Sequence, residues 1–303
     1  VRWLFLLLIT WLFQPFPLWA KGIQVVLSES DGAYEEVSRA FLAGLGAGRE
    51  VTVRKLSDLQ PEQAKTLSSG EDLIVPVGTR AARFFAENHV GHADVLALLV
   101  PKSTIDRSGL PDSHGKGHFS FVYIDQPLER SLSLVRVLLP RAQRIGVVLS
   151  RFSGISPDVL IQEAEQRGFS VSLSRVAEAE EVGHAVRRVL GSSDALLLVP
   201  DTVVVSNASL HSILLASYRQ RVPVVGFSPG LVKSGAIAAV FSSPEQIGKE
   251  GSVMAKRWLA TGVLPESRAA SQFSVDLNVH VARSLGLALP SERDVEKEIE
   301  AHR

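Results

Sequence analysis

Two α/β lobes, each a parallel sheet flanked by helices and joined by a hinge, are the fold this sequence predicts. Short apolar runs of strand length alternate with amphipathic stretches of helical period along most of the chain. The runs end abruptly in small polar residues, as at Ser28, Gly78–Thr79, Ser150 and Pro200–Asp201. That is the pattern of a parallel sheet that holds a ligand at its carboxyl edge. The alternation also passes through twice, each pass about the length of a small α/β domain, with punctuation at Asp125-Gln126-Pro127 between them.

In the first pass, the run 23–27 is a strand ending in Ser28, Glu29 and Ser30, and 34–45 carries Val37, Ala40, Phe41 and Leu45 at helical spacing. A strand at 51–53 and a short helix at 60–67, opened by Pro61, come next. The buried run 73–77 then gives way at Gly78–Thr79 to a helix reaching about residue 87, and 95–100 is a strand stopped by Pro101. Residues 102–118 mix Gly, Pro, Ser, Lys and His without a period and read as a surface loop, and 119–124 is the last strand of the pass.

The second pass opens with an amphipathic helix at 128–139, then alternates: strand 145–149, helix 157–167, strand 170–174, helix 178–190, strand 195–199, helix 207–219, strand 223–226 and strand 236–241. Ser242-Ser243-Pro244 opens a helix over 244–260 that is expected to cross back and pack on the first lobe. A strand at 272–276 and a helix at 278–285 tie the lobes together, with crossings expected near Asp125–Pro127, Ser242–Pro244 and Asp276–Asn278. The expected division is 21–124 with 244–275 for the first lobe and 125–243 with 276–290 for the second. Residues 291–303 are left as a charged tail that frays.

Composition narrows the function. The chain has 303 residues, 46% of them hydrophobic, enough for two cores. Its 32 Lys and Arg balance its 32 Asp and Glu, so no basic field exists for nucleic acid. Residues 1–20 read as a secretory signal: Arg2 precedes an apolar run from Trp3 to Phe13, Pro15 and Pro17 break it, and Ala20 offers a small residue for cleavage. The alternative is an uncleaved anchor. The chain has no cysteine, so neither a lipid-modified cysteine nor a disulfide is available. No Walker lysine, GxSxG elbow or HExxH occurs, and an enzyme is not expected.

The candidate ligand-binding residues sit at the strand ends. Gly78 and Thr79 open a helix, where free amides and the Thr79 hydroxyl would seat a carboxylate; Thr79 is equally an ordinary helix cap. Asp201 would pair with an ammonium group or serve as a turn-former after Pro200. Ser28, Ser150, Ser153 and Ser228 suggest a polar cleft floor, each alone being a turn or cap residue. Tyr123, Phe152 and Phe227 would sandwich a flat or apolar ligand, or else cap the sheet. His114 and His118 lie four apart but among glycines, which suits a solvated loop better than a metal site, and Asn207-Ala208-Ser209 reads as a helix cap.

Several stretches resemble one family. They are GTRAA at Gly78–Ala82, LLP-x-A-x-R-I-G-V at Leu138–Val147, PD-x-x-V at Pro200–Val204 and VPVVGFS at Val222–Ser228. Val232 with Gly235–Ala236, Ile247–Gly248 and FSVDLN-x-x-V-A-x-x-L-G at Phe273–Gly286 complete the set. In order and spacing the chain resembles the periplasmic substrate-binding proteins of ABC transporters, some of which bind tryptophan or tyrosine, over nearly all of its length after residue 22. The resemblance implies a type I periplasmic-binding-protein fold. It implies a ligand-side residue at Thr79 and a permease partner; the Thr79 helix start, Asp201 opposite it and the nearby aromatics point to a small amino-acid-like or carboxylate ligand held without a cofactor, and the signal segment to a periplasmic location. A ligand-sensing accessory protein for a signalling or receptor partner is the other role the same fold serves. Tryptophan-binding relatives would carry an Asn-Ser-type turn where this chain has Ser150-Arg151-Phe152-Ser153, which leaves the ligand open.

Overall fold

The computed structural model describes residues 22–301 apart from 31, 71, 89–90 and 109–116. The signal-like segment 1–20 and His114 lie outside the described residues. Strands β1 (Ile23–Leu27), β2 (Val51–Lys55), β3 (Leu73–Val77), β4 (Val95–Val100) and β5 (Phe119–Tyr123) alternate with helices α1 (Gly32–Leu45), α2 (Pro61–Ser69), α3 (Thr79–Asn88) and α4 (Lys102–Ser108). Helix α5 (Leu128–Leu138) begins the second series: β6 (Arg144–Ser150), α6 (Pro157–Gln166), β7 (Ser170–Val176), α7 (Ala179–Leu190), β8 (Ala195–Leu197), α8 (Asn207–Gln220), β9 (Val224–Gly226), α9 (Pro229–Ser234) and β10 (Ala238–Phe241). The chain ends with α10 (Pro244–Thr261), β11 (Arg268–Ala269), β12 (Ser274–Leu277), α11 (Val279–Ser284) and α12 (Glu292–Ala301).

The strands form two six-stranded sheets, ordered β11-β5-β4-β3-β1-β2 and β12-β10-β9-β8-β6-β7. All pairings are parallel except β10 with β12. This is the two-lobed α/β architecture expected. The two orders are the same path run twice, each reversing direction after its second strand. The reversal falls between β1 and β3 in one lobe and between β6 and β8 in the other. At such a point successive helices leave on opposite faces of the sheet and open a crevice at the strands' carboxyl ends.

Each sheet is buried on both faces. All five residues of β3 are buried, which fits a continuous apolar run better than an alternating one. Helix α10 adds Ile247, Met254, Ala255 and Trp258 to the core beneath β1, β3 and β4, so it packs on the first lobe as its position after Ser242–Pro244 suggested. It crosses α1 closely because glycines remove the intervening side chains. A Cβ at Gly248 would stand 2.3 Å from the Val37 carbonyl oxygen, and one at Gly44 would stand 2.1 Å from Ser252 Oγ. Trp258 is fully buried and donates its indole N–H to Asp94 at 2.6 Å. Truncating a ring so placed costs roughly 3–5 kcal/mol.

Three expectations need correction. Residues 102–108 form α4 rather than loop, with Ser103, Thr104 and Ile105 buried. The third crossing runs through 270–273, between β11 in the first sheet and β12 in the second, so Asp276–Asn278 belongs to the second lobe's edge strand and helix start. Ala270 belongs to the first lobe's core and Phe273 to the second's, so the chain changes cores within four residues. The two-residue strand β11 was too short to show any period. The charged tail is largely the helix α12, whose Val295 and Ile299 lie in the second lobe's core; four residues apart, they make one apolar stripe on an otherwise charged surface.

Candidate functional site

At the first lobe's reversal, the amide of Ser28 donates to the Val77 carbonyl and ties the ends of β1 and β3 together. Gly78 follows with φ of +92°, a conformation suited to glycine, and any Cβ there would meet Tyr34 Cε1 at 2.4 Å and Ser28 Oγ at 2.7 Å. Helix α3 therefore starts on a residue with no side chain to cap it. Ser28 supplies the cap from the neighbouring strand, its hydroxyl accepting the Ala81 amide at 2.9 Å. The first helical bond runs from Ala82 N–H to the Gly78 carbonyl, which leaves the Thr79 and Arg80 amides without an acceptor among the described residues. Thr79 is half-buried beside them, and Arg80 forms an exposed ion pair with Glu29 at 3.2 Å. Two amides without an acceptor thus stand at one helix N-terminus, which favours an anion, while the guanidinium beside them is already neutralised by Glu29.

The second lobe's reversal is built differently. Asp201 is buried, and its carboxylate accepts from Ser150 N–H at 2.7 Å, Ser150 Oγ at 2.9 Å, Val203 N–H at 2.9 Å and Val204 N–H at 3.1 Å. It clips the end of β6 to the turn after β8. Of the two roles left open for Asp201, the geometry favours the turn-former, since both oxygens are engaged by the protein itself. Ser150 is engaged likewise, its Oγ also accepting the Phe152 amide at 2.9 Å. The Ser153 hydroxyl lies within bonding reach of the Ser150 and Ile155 carbonyls, and Ser228 caps α9 by accepting the Leu231 amide at 3.4 Å. These serines are turn and cap residues first.

The aromatic candidates keep partial exposure. Phe152 is half-buried beneath the Arg151 guanidinium, 4.7 Å from its ring centre. Phe227 is half-buried and packs against the core below β8 and β9. Tyr123 ends β5 and stacks parallel to Phe121 at 6.2 Å.

A cavity of ≈ 690 Å³ opens between the lobes, walled by Lys102, Tyr123 and Ala269 on one side, Ser153–Ser156, Val159 and Pro200 on the other, and floored by the crossing Asp125–Pro127. That volume suits a ligand of amino-acid size or somewhat larger. Of the ten sequence-predicted residues, Tyr123 and Ser153 line it; Ser28, Gly78, Thr79, Ser150, Phe152, Asp201, Phe227 and Ser228 do not. They stand instead at or beside strand ends, on their own lobes. The lobes touch where Gly154 meets Ser103, whose Cβ would lie 3.5 Å from a Cβ added at Gly154.

Tyr34, Arg80, Lys102 and Gly154 were missed by sequence reasoning. Tyr34 reads as the first residue of an amphipathic helix, and only the packing of its ring on Gly78 draws it to the site. Among the described residues no group of three or more His, Asp or Glu side chains could hold a metal ion, and no helix is long and apolar enough to cross a membrane.

Comparison with known proteins agrees with this architecture. The curated tyrosine-binding protein of Clostridioides difficile (strain R20291) is 25% identical over 201 residues, 63% of this chain and 56% of its own length. An uncharacterized protein of Rickettsia prowazekii is 22% identical over 64% of this chain and 59% of its own length. The chain thus spans under two thirds of the curated relatives it matches. A ligand-free, open substrate-binding protein with adhesive properties from Clostridium difficile superposes with a TM-score of 0.68 at 20% identity, covering 89% of this chain and 96% of that one. An ABC domain in complex with L-Trp from Streptococcus pneumonia gives 0.59 at 19% identity, with 92% and 98% covered. These likenesses establish the fold, that of type I periplasmic binding proteins. Residues 55–296 match the family described as ABC transporter substrate binding protein, and the chain belongs to that family.

Proposed function

We propose that this protein is the periplasmic solute-binding component of an ABC-type transport system and takes an amino acid, or a similar small carboxylate, between its lobes before presenting it to a membrane permease. The observation that carries the reading is the N-terminus of α3. Its glycine is obligatory, its cap comes from another strand, and two amides beside the Thr79 hydroxyl remain for a ligand carboxylate. The interlobe cavity has the right size and is lined by the Tyr123 ring, while Tyr34 and Phe152 stand half-buried outside it. The names of the relatives, one tyrosine-binding and one solved with L-Trp, support an amino acid. Binding is non-covalent, and no residue set among the described residues calls for a cofactor.

A thermal-shift screen of the twenty amino acids and small carboxylates tests this, followed by calorimetry on Thr79→Val. A charge-assisted hydrogen bond lost from a closed cleft weakens binding by roughly tenfold or more. Thr79→Val should weaken the best ligand by about that factor. The reading fails if no such compound raises the melting temperature, or if Thr79→Val binds as well as the unaltered protein.

A further inference from the structure

The three crossings between the lobes are joined by one hydrogen-bond network. Arg130, on α5 of the second lobe, is 2% exposed. Its guanidinium donates to Gln126 Oε1 of the first crossing at 2.7 Å and to the Ala270 and Ser271 carbonyls of the third crossing at 3.0 Å each. It also lies 4.8 Å from the ring centre of Phe273. Gln126 passes the link to Ser242 of the second crossing at 2.8 Å, and Ser242 donates to the Gln272 carbonyl at 2.9 Å.

From the opposite side comes Glu250, 5% exposed, on α10 of the first lobe. One of its oxygens accepts the Ser271 amide at 2.8 Å and the Ser271 hydroxyl at 2.6 Å, and the other accepts Arg268 at 2.7 Å. A single residue is therefore held by both lobes: its N–H and O–H by a buried carboxylate of the first, its carbonyl by a buried guanidinium of the second. Core stability alone does not select such an arrangement. Burying charges this deeply carries a desolvation penalty that apolar residues would avoid, and the Arg130 Nε has no partner among the described residues.

We propose that Ser271 is the fixed pivot of lobe closure and that Arg130 and Glu250 are positioning residues that hold it. Rotation is then taken up by the backbone of 125–127 and 242–244, while 270–271 keeps its place against both lobes. This rests on the reading that the cleft opens and closes on a ligand. It is tested without one, so its failure and the failure of the ligand assignment can be told apart.

The chain has no cysteine, so spin labels can be placed at Lys65→Cys and His184→Cys, exposed positions on opposite lobes. Interlobe distances are then measured by pulsed electron resonance in the ligand-free protein. With Arg130 and Glu250 in place, the distances should fall in one or two narrow bands. Arg130→Met and Glu250→Gln should each broaden them into separations not sampled before, and Arg130→Met/Glu250→Gln together should be no broader than the wider single variant, because both act through Ser271. Arg130→Lys should restore the narrow bands in part. Ser271→Ala removes only a hydroxyl and serves if a charge variant fails to fold; it should broaden the bands in the same sense. Narrow, unshifted bands in a folded Arg130→Met, Glu250→Gln or Ser271→Ala protein overturn the proposal, as does broadening in the double variant that equals the sum of the singles.

Discussion

Asp201→Ala separates a residue that builds the site from one that touches the ligand. The side chain accepts four hydrogen bonds, three of them from the backbone amides of Ser150, Val203 and Val204. A buried donor left without an acceptor costs about 1–3 kcal/mol. Water entering from the cleft restores part of this, so the net loss should be about 3–5 kcal/mol. At about 2–4 °C per kcal/mol for a protein of this size, the melting temperature should fall by about 6–20 °C. Asp201→Asn sharpens the test. An amide oxygen at Oδ1 keeps three donors satisfied, while its NH₂ faces the Ser150 N–H and repels it, so a smaller loss of about 1–3 kcal/mol is expected. The assay is thermal and denaturant unfolding of both variants, with ligand affinity measured well below their melting temperatures. If Asp201→Ala unfolds with the unaltered protein but loses affinity for a zwitterion, its carboxylate is a ligand counter-charge and the structural account is wrong.

Gly78→Ala should cost about 1–3 kcal/mol in unfolding free energy from the positive φ alone, and it should also weaken ligand binding, because the methyl group displaces Tyr34; an unchanged affinity would remove Tyr34 from the site. Ser103→Cys with Gly154→Cys should form a disulfide under mild oxidation, since the Cβ separation of 3.5 Å lies within the ~3.5–4.5 Å such a bond spans. Mass spectrometry and thiol titration read the bond, and ligand exchange should stop until a reductant is added. Burial pushes the Glu250 carboxyl up, but the Ser271 hydroxyl and amide and the Arg268 guanidinium outweigh it and hold the group below the usual glutamate range. A carboxylate lowered in this way stabilises the folded state above the unfolded-chain value of about 4.3, and the contribution is lost as pH falls through the lower folded value. Urea denaturation across that acid window should show Glu250→Gln with a flatter decline than the unaltered protein, and parallel declines would refute the assignment.

The doubled α/β grammar was legible because buried parallel strands leave continuous apolar runs, as at β3, and because small polar residues stop them at their carboxyl ends. Helix α10 could be assigned to the first lobe from its place after Ser242–Pro244. What escaped reading depends on contacts between distant segments. Nothing in the order of residues says that Ser28 caps a helix beginning 51 positions later, or that Asp201 will be enclosed by donors from β6. A strand-end serine or aspartate looks the same in sequence whether its side chain faces a ligand or a neighbouring turn. Arg130 gave no signal at all, being one arginine on an amphipathic helix, yet it bonds to the first and third crossings and reaches the second through Gln126. The third crossing was misplaced because Ala270–Phe273 carries no proline or glycine and continues directly into an edge strand.

Helix α10, which crosses back to complete the first lobe, also sets the order in which the chain can fold. Strands β1 to β5 are synthesised within the first 123 positions, but Met254 and Trp258, which close the core beneath them, emerge about 130 residues later. The second lobe waits in turn for Val295 and Ile299 of α12. Neither lobe can seal its interior until nearly all of the described chain is present. A chain cut before Glu292 would thus leave the second lobe's core open at the place that Val295 and Ile299 fill.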